Sequence, residues 1–192
     1  MCSDACLSAG KDRYRREQQD SRMDDLKWAI AREIPHLRRY ARALTGNPTA
    51  ADDLVQDSLE RGLRKRHLWR RTGSLRSWLF RILYTTYINS RQRNRWREIV
   101  GETDVGDNQM KAPDDQETTL HSREVISGLA KLPDDQRAAI LLIALEGLTY
   151  DEAATVLNVP IGTVRSRLWR GREALRRLAS PPAQTERLRR VK

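Results

Sequence analysis

The sequence predicts an all-α protein: two small helical domains joined by a flexible acidic linker, the second containing a helix-turn-helix. Three observations carry that prediction. Apolar residues recur at spacings of three and four, the period of a helix buried on one side, and nothing resembles alternating strands. Capping and stop signals bracket the periodic stretches. Charge is partitioned along the chain, with residues 26–99 carrying net +11 and 100–122 net −5 within a total of +10.

The leader, residues 1–25, is polar and reads as a disordered extension. It has no apolar core of signal-peptide length, which points to the cytoplasm. Its cysteines, Cys2 and Cys6, have no histidine nearby and read as free thiols, with neither a metal nor a disulfide role. Residues 26–99 read as the first domain. Leu26, Ile30, Ile34, Leu37, Ala41 and Leu44 form one helical face, and Gly46-Asn47-Pro48 ends that helix. Thr49 with Asp52 can cap a second helix, whose apolar positions are Leu54, Val55, Leu59 and Leu63. Ser74 can cap a third, with Leu75, Trp78, Leu79, Ile82 and Leu83 inward, extending into the basic, aromatic run "YTTYINSRQRNRWR".

Residues 100–121 lack periodicity and hold glycine, proline and acids; they read as the linker. The second domain spans 122–180, followed by a basic tail at 181–192. Pro133 suits the first position of the helix "PDDQRAAILLIALEG". Thr149 and Glu152 then form a capping box for a short helix that Asn158 can end in the left-handed conformation. Pro160 opens the next helix, which completes a helix-turn-helix.

That last helix divides its residues by side. Ile161, Val164, Leu168, Leu175 and Leu178 share one face with Gly171, where the missing Cβ permits close approach of a neighbour. The other carries Arg165, Ser166, Trp169, Arg170, Arg172, Arg176 and Arg177. Six of the thirteen residues from Arg165 to Arg177 are arginines, against one acid, Glu173. A solvated face ordinarily mixes signs for i,i+4 pairs. An arginine-rich helix instead fits the DNA major groove, where guanidinium groups reach guanine edges and phosphate neutralisation releases counterions.

The stretch "LPDDQRAAILLIALEGLTYDEAATVLNVPIGTVRSRLWRGREALRRL" resembles the C-terminal promoter-binding domain of bacterial RNA polymerase sigma factors of the extracytoplasmic-function (ECF) class. "NPTAADDLVQDSLERGLRK" and "SLRSWLFRILYTTYINSRQRNR" resemble the N-terminal domain of the same family. The resemblance covers roughly residues 26–178. It implies a protein that binds core RNA polymerase, reads a −35 element as duplex and a −10 element as separated strands, and is not an enzyme.

Position by position, the resemblance puts Arg165, Ser166, Trp169 and Arg170 at or near −35 base edges, and Thr163, Arg167 and Arg172 on the DNA backbone. For the −10 strand it implies Tyr84, Thr85, Tyr87, Asn89, Arg91, Arg93 and Arg95, since unstacked bases need aromatic platforms and a basic track. Trp78 reads as core; Trp96 either packs or contacts DNA. Thr85 departs from the family, which commonly has asparagine there, and one hydroxyl replaces an amide that both donates and accepts. Asp52, Asp53, Leu54, Gln56 and Asp57 match the stretch that docks on the polymerase clamp helices. The linker is compatible with a nucleic-acid mimic in a basic channel and equally with a plain tether. The family also implies an anti-sigma factor as partner and no cofactor or metal. Met23 begins a stretch that resembles a typical family start.

Two other functional classes fit the sequence less well. A stand-alone helix-turn-helix regulator would have no need of residues 26–99 in this form. An enzyme finds no support, because His36, His67 and His121 are scattered and no nucleophile motif, phosphate loop or metal-ligand spacing is visible.

Overall fold

The structure, a computed structural model, describes residues 4–69, 73–100 and 126–179, and within them the side chains other than those of 4–24, Leu68, Glu98 and Ala179. The linker beyond Val100, the tail and Cys2 lie outside the described residues. Those described are helical, with no strand among them: α1 (Asp4–Thr45), α2 (Pro48–Arg64), α3 (Leu75–Val100), α4 (Asp134–Ile140), α5 (Tyr150–Leu157) and α6 (Ile161–Ala179). A single 3₁₀ turn, Arg66–Leu68, follows α2, and residues 126–130 are helical ahead of α4.

α1 departs from the expected disordered leader. The backbone of residues 4–25 continues the first helix without a break. Its composition allows this: arginine, glutamate, glutamine and alanine are good helix formers, and no proline occurs before Pro35. Pro35 is exposed and is tolerated within the helix.

The cap of α2 also differs from expectation. Asn47 is the N-cap, its Oδ1 accepting the Ala50 N–H at 3.0 Å, and Pro48 takes the first helical position. Proline there sacrifices no bond, because the first amides of a helix have no internal partner. Thr49 lies inside the first turn. α2 buries Ala51, Leu54, Val55, Ser58 and Gly62, while Leu63 faces solvent. Ser74 does cap α3, its Oγ accepting the Ser77 N–H at 3.3 Å.

The first core forms where α3 crosses α1. Tyr40 and Phe80 are fully buried and meet edge to face with ring centroids 5.2 Å apart, flanked by Leu37, Leu44, Leu79 and Leu83. Phe80 lies outside the stripe read from the sequence because α3 is buried on two sides, by α1 and α2 and by α5. Trp78 is half-buried beside Trp69 and Gly62, in keeping with a packing role.

The second core gathers Ala138, Ala139, Leu142, Ala153, Val156, Val164 and Leu168. A Cβ on Gly171 would stand 2.6 Å from Ile140 Cδ1, so the glycine sets how closely α6 approaches α4. The capping box forms as read: Thr149 Oγ1 accepts the Glu152 N–H while Glu152 Oε2 accepts the Thr149 N–H at 2.9 Å. Asn158 ends α5 with φ 54°, in the left-handed region. Pro133 precedes α4 as its N-cap rather than opening it. The sequence gives no hint of the next feature, a π-helical turn over Leu141–Leu145 that delivers the Glu146 N–H to the Leu141 carbonyl.

Phe80→Ala removes the ring at the centre of the first core and should cost about 3–5 kcal/mol. Urea unfolding followed by circular dichroism measures it, with the midpoint lowered.

Candidate nucleic-acid interface

The outer side of α6 is as the sequence divides it. Arg165, Ser166, Trp169, Arg170 and Arg172 are exposed, Trp169 to 68%, and Thr163 is half-exposed near the helix start. Their geometry is partly preset. Arg165 lies over the Tyr150 ring of α5, 5.9 Å from its centroid, and Arg170 donates to both the carbonyl and the Oγ of Ser166 at 3.3 Å. Tyr150, Arg165, Leu168, Trp169, Arg172 and Arg176 line a shallow cleft of about 180 Å³. Tyr150, absent from the residues singled out in the sequence, joins the face because the capping box fixes the start of α5 beside α6. Arg167 turns away: its side chain is 19% exposed and pairs with Asp135 at 3.1 Å, tying α6 to α4. Arg176 and Arg177 both pair with Glu173.

α3 distributes its candidates unevenly. Asn89, Arg93 and Arg95 are exposed, Trp96 is 67% exposed, and Thr85 is exposed with its hydroxyl donating to the Arg81 carbonyl at 2.8 Å. Tyr84 and Tyr87 run against the expectation of open aromatic platforms, being only 9% and 4% exposed. The start of α4 covers them. The Tyr87 hydroxyl donates to Asp134 Oδ1 at 3.0 Å, and Arg91 Nε donates to Asp134 Oδ2 at 3.2 Å. Asp134 also pairs with Arg137. Burial, with the Asp134 charge beside it, pushes the Tyr87 phenol up to about 12. Burial likewise raises Tyr84.

On α2, Asp52, Asp53, Gln56 and Asp57 are exposed, with Asp52 paired to Arg38 at 3.4 Å and Gln56 within 3.4 Å of Glu60. Leu54 lies deeper than its neighbours. It is 7% exposed and belongs to the core face of α2, where it lines the same groove as Asp53 and Asp57. Asp53 and Asp57 border a groove of about 400 Å³ whose far wall is Tyr87, Ser90 and Arg91 of α3 and Arg137 of α4.

The residues that sequence reasoning missed join the two domains. Glu146, its side chain 0% exposed, accepts from Arg39 Nε at 2.9 Å and from Arg76 Nη2 at 2.9 Å, with His36 Nδ1 at 3.2 Å. Arg39 also donates to the Leu145 carbonyl and Arg76 to the Glu146 carbonyl. Ser77 meets Glu152 and Arg81 meets Asn158 farther along α3. A lone acid in "IALEGLT" carries no sign of partners 70 to 110 residues away.

Residues 30–84 match the family described as the Sigma2 domain of PhyR, and 122–175 match Sigma-70, region 4. The ECF RNA polymerase sigma factor EcfG of Rhodopseudomonas palustris is 36% identical over 152 residues, which span 79% of this chain and 83% of that protein. The chain belongs to the ECF sigma factor family. SigL of Mycobacterium tuberculosis, another ECF sigma factor, is 34% identical over 73% of this chain and 80% of its own. Among solved structures, the sigma factor RpoE of Bartonella quintana, in complex with the anti-sigma factor NepR, superposes with a TM-score of 0.71 at 33% identity, over 80% of this chain and 96% of that one. For this sigma factor the helix-turn-helix of α5 and α6 thus falls in region 4, and the start of α3 in the Sigma2 match. Among the described residues no helix is long and apolar enough to cross a membrane.

The raised Tyr87 predicts a pH effect. The folded phenol keeps its proton where an unfolded one, with a pKa of about 10, releases it. Its contribution to stability is therefore whole below about pH 10 and is lost as pH rises toward 12. Asp134→Asn removes the neighbouring charge and should bring Tyr87 ionisation to lower pH, read by ultraviolet tyrosinate absorbance.

Proposed function

We propose that this sigma factor directs core RNA polymerase to promoters by holding a −35 duplex on α6 and a −10 single strand on α3. The observation that carries the reading is the exposed cationic and aromatic side of α6, seated on a properly capped helix-turn-helix in a chain of this family. Arg165, Ser166, Trp169 and Arg170 face the major groove, with Thr163 and Arg172 on phosphates. Arg167 braces α6 through Asp135 and acts on DNA through its charge alone. Thr85, Asn89, Arg91, Arg93 and Arg95 form the strand-binding side of α3, with Tyr84 and Tyr87 joining once uncovered. Asp52, Asp53, Gln56 and Asp57 dock on polymerase; Leu54 supports their helix from beneath. The chain works in the cytoplasm without catalysis of its own, and an anti-sigma factor is its expected antagonist.

Run-off transcription with purified core enzyme on a genomic promoter library tests the whole reading. Defined start sites are expected, and none at all would overturn it. Arg170→Ala should cost about 1–3 kcal/mol of promoter affinity and relax the preference at one −35 position. Selection of promoters with that variant measures both. Gln56→Ala with Asp57→Ala should lower recovery of core polymerase in a pull-down while leaving duplex binding by α6 unchanged.

A further inference from the structure

A strand held without base pairing needs aromatic faces for its bases and cations for its phosphates. Of the aromatic residues of α3, Trp78, Phe80, Tyr84 and Tyr87 all pack against the rest of the protein. Trp96 is the exception, at 67% exposed. Its place on the helix gives that exposure a meaning. At about 100° per residue, Thr85, Asn89, Arg93, Trp96 and Val100 fall within an arc of about 80°, and all of them are exposed. Tyr84, Tyr87 and Arg91 lie on the opposite side, where Asp134 of α4 meets Tyr87 and Arg91. The stripe is therefore clear of the described part of the second domain. It runs from Thr85 and Asn89, already assigned to the strand, to an indole about 16 Å farther along the helix.

We propose that Trp96 is a stacking platform for an unpaired base of the DNA strand held on α3, with Arg93 and Arg97 on the neighbouring phosphates. The proposal rests on the assignment of α3 to single-stranded DNA. Charge complementarity selects a nucleic acid as the occupant of this stripe. Arg93 comes one turn before the indole and Arg97 directly after it, both exposed and neither in an ion pair among the described residues. A helix end that served only solubility would gain from acids set four residues from these cations. An exposed indole beside Val100, at 56% exposed, also leaves apolar surface in water that a stacked base would cover. The two ends of the stripe then divide the work. Every base offers a face to an indole, so Trp96 supplies strength without sequence preference, while the polar groups of Thr85 and Asn89 meet base edges.

Fluorescence anisotropy with the full chain tests this, using a short labelled DNA strand of mixed sequence and the same backbone made abasic throughout. Trp96→Ala should weaken binding of the base-bearing strand at least roughly fivefold and leave the abasic strand unchanged. Trp96→Tyr keeps a ring and should restore most of the loss. Arg93→Ala, by contrast, should weaken both strands alike and make binding less sensitive to salt. Trp96 is exposed, so circular dichroism of its variants should match that of the parent. If Trp96→Ala binds both strands as the parent does, the platform is overturned while the assignment of α3 stands. Equal loss on both strands overturns it too, since an abasic strand has nothing to stack. Lower recovery of core polymerase in a pull-down, with strand binding unchanged, gives the patch to the polymerase and likewise overturns it. If the parent chain holds neither strand, the assignment of α3 to DNA fails, and the platform with it.

Discussion

A carboxylate taken fully out of water has to be met by partners of opposite charge, and Glu146 is met by three side chains from the other domain. Burying an unpaired charge costs several kcal/mol, more than most single contacts in a small protein return. The placement of region 4 on the first domain therefore depends on Arg39 and Arg76 arriving together from α1 and α3. His36 is half-exposed at the edge of this cluster, and Glu33 approaches Arg76 at 3.8 Å, extending the alternation of sign. The buried apolar residues of both domains run together in one cluster, so this polar contact adds to apolar packing in setting how the domains sit together.

Electrostatics and packing share the work unequally across the molecule. Inside each domain, apolar burial dominates: Tyr40 against Phe80 in one, Leu142 with Val156 and Val164 in the other. Between domains, the named contacts are chiefly polar and several are half-exposed.

Much of this was legible in the sequence, for physical reasons that are local. The capping box at Thr149 and Glu152, the left-handed Asn158 and the close approach at Gly171 are each set by residues a few positions apart. The cationic side of α6 was legible because its sign imbalance cannot be explained by helix stability. The cap at Asn47 was misread by two residues, since Thr49 and Asp52 offer the same chemistry to a slightly later start. The burial of Tyr84 and Tyr87, the pairing of Arg167 with Asp135 and the Glu146 cluster were not legible. They arise from contacts between segments far apart in the chain, where periodicity holds no information. Leu54 shows what a motif leaves out: it came with its exposed neighbours, although its helical position points it inward.

The π-helical turn at Leu141–Leu145 has a bearing on how such a chain can change over time. Such a turn holds one residue more than an α-helical turn, which swings everything beyond it by about 100° about the local axis. Removing a single residue there would straighten the helix and re-register Leu141 and Leu142, which the turn buries in the domain. It would also carry the acid at its end off the guanidinium groups that now receive it. A lineage could therefore loosen or re-aim the join between its two halves by one codon, leaving the residues of α3 and α6 unchanged.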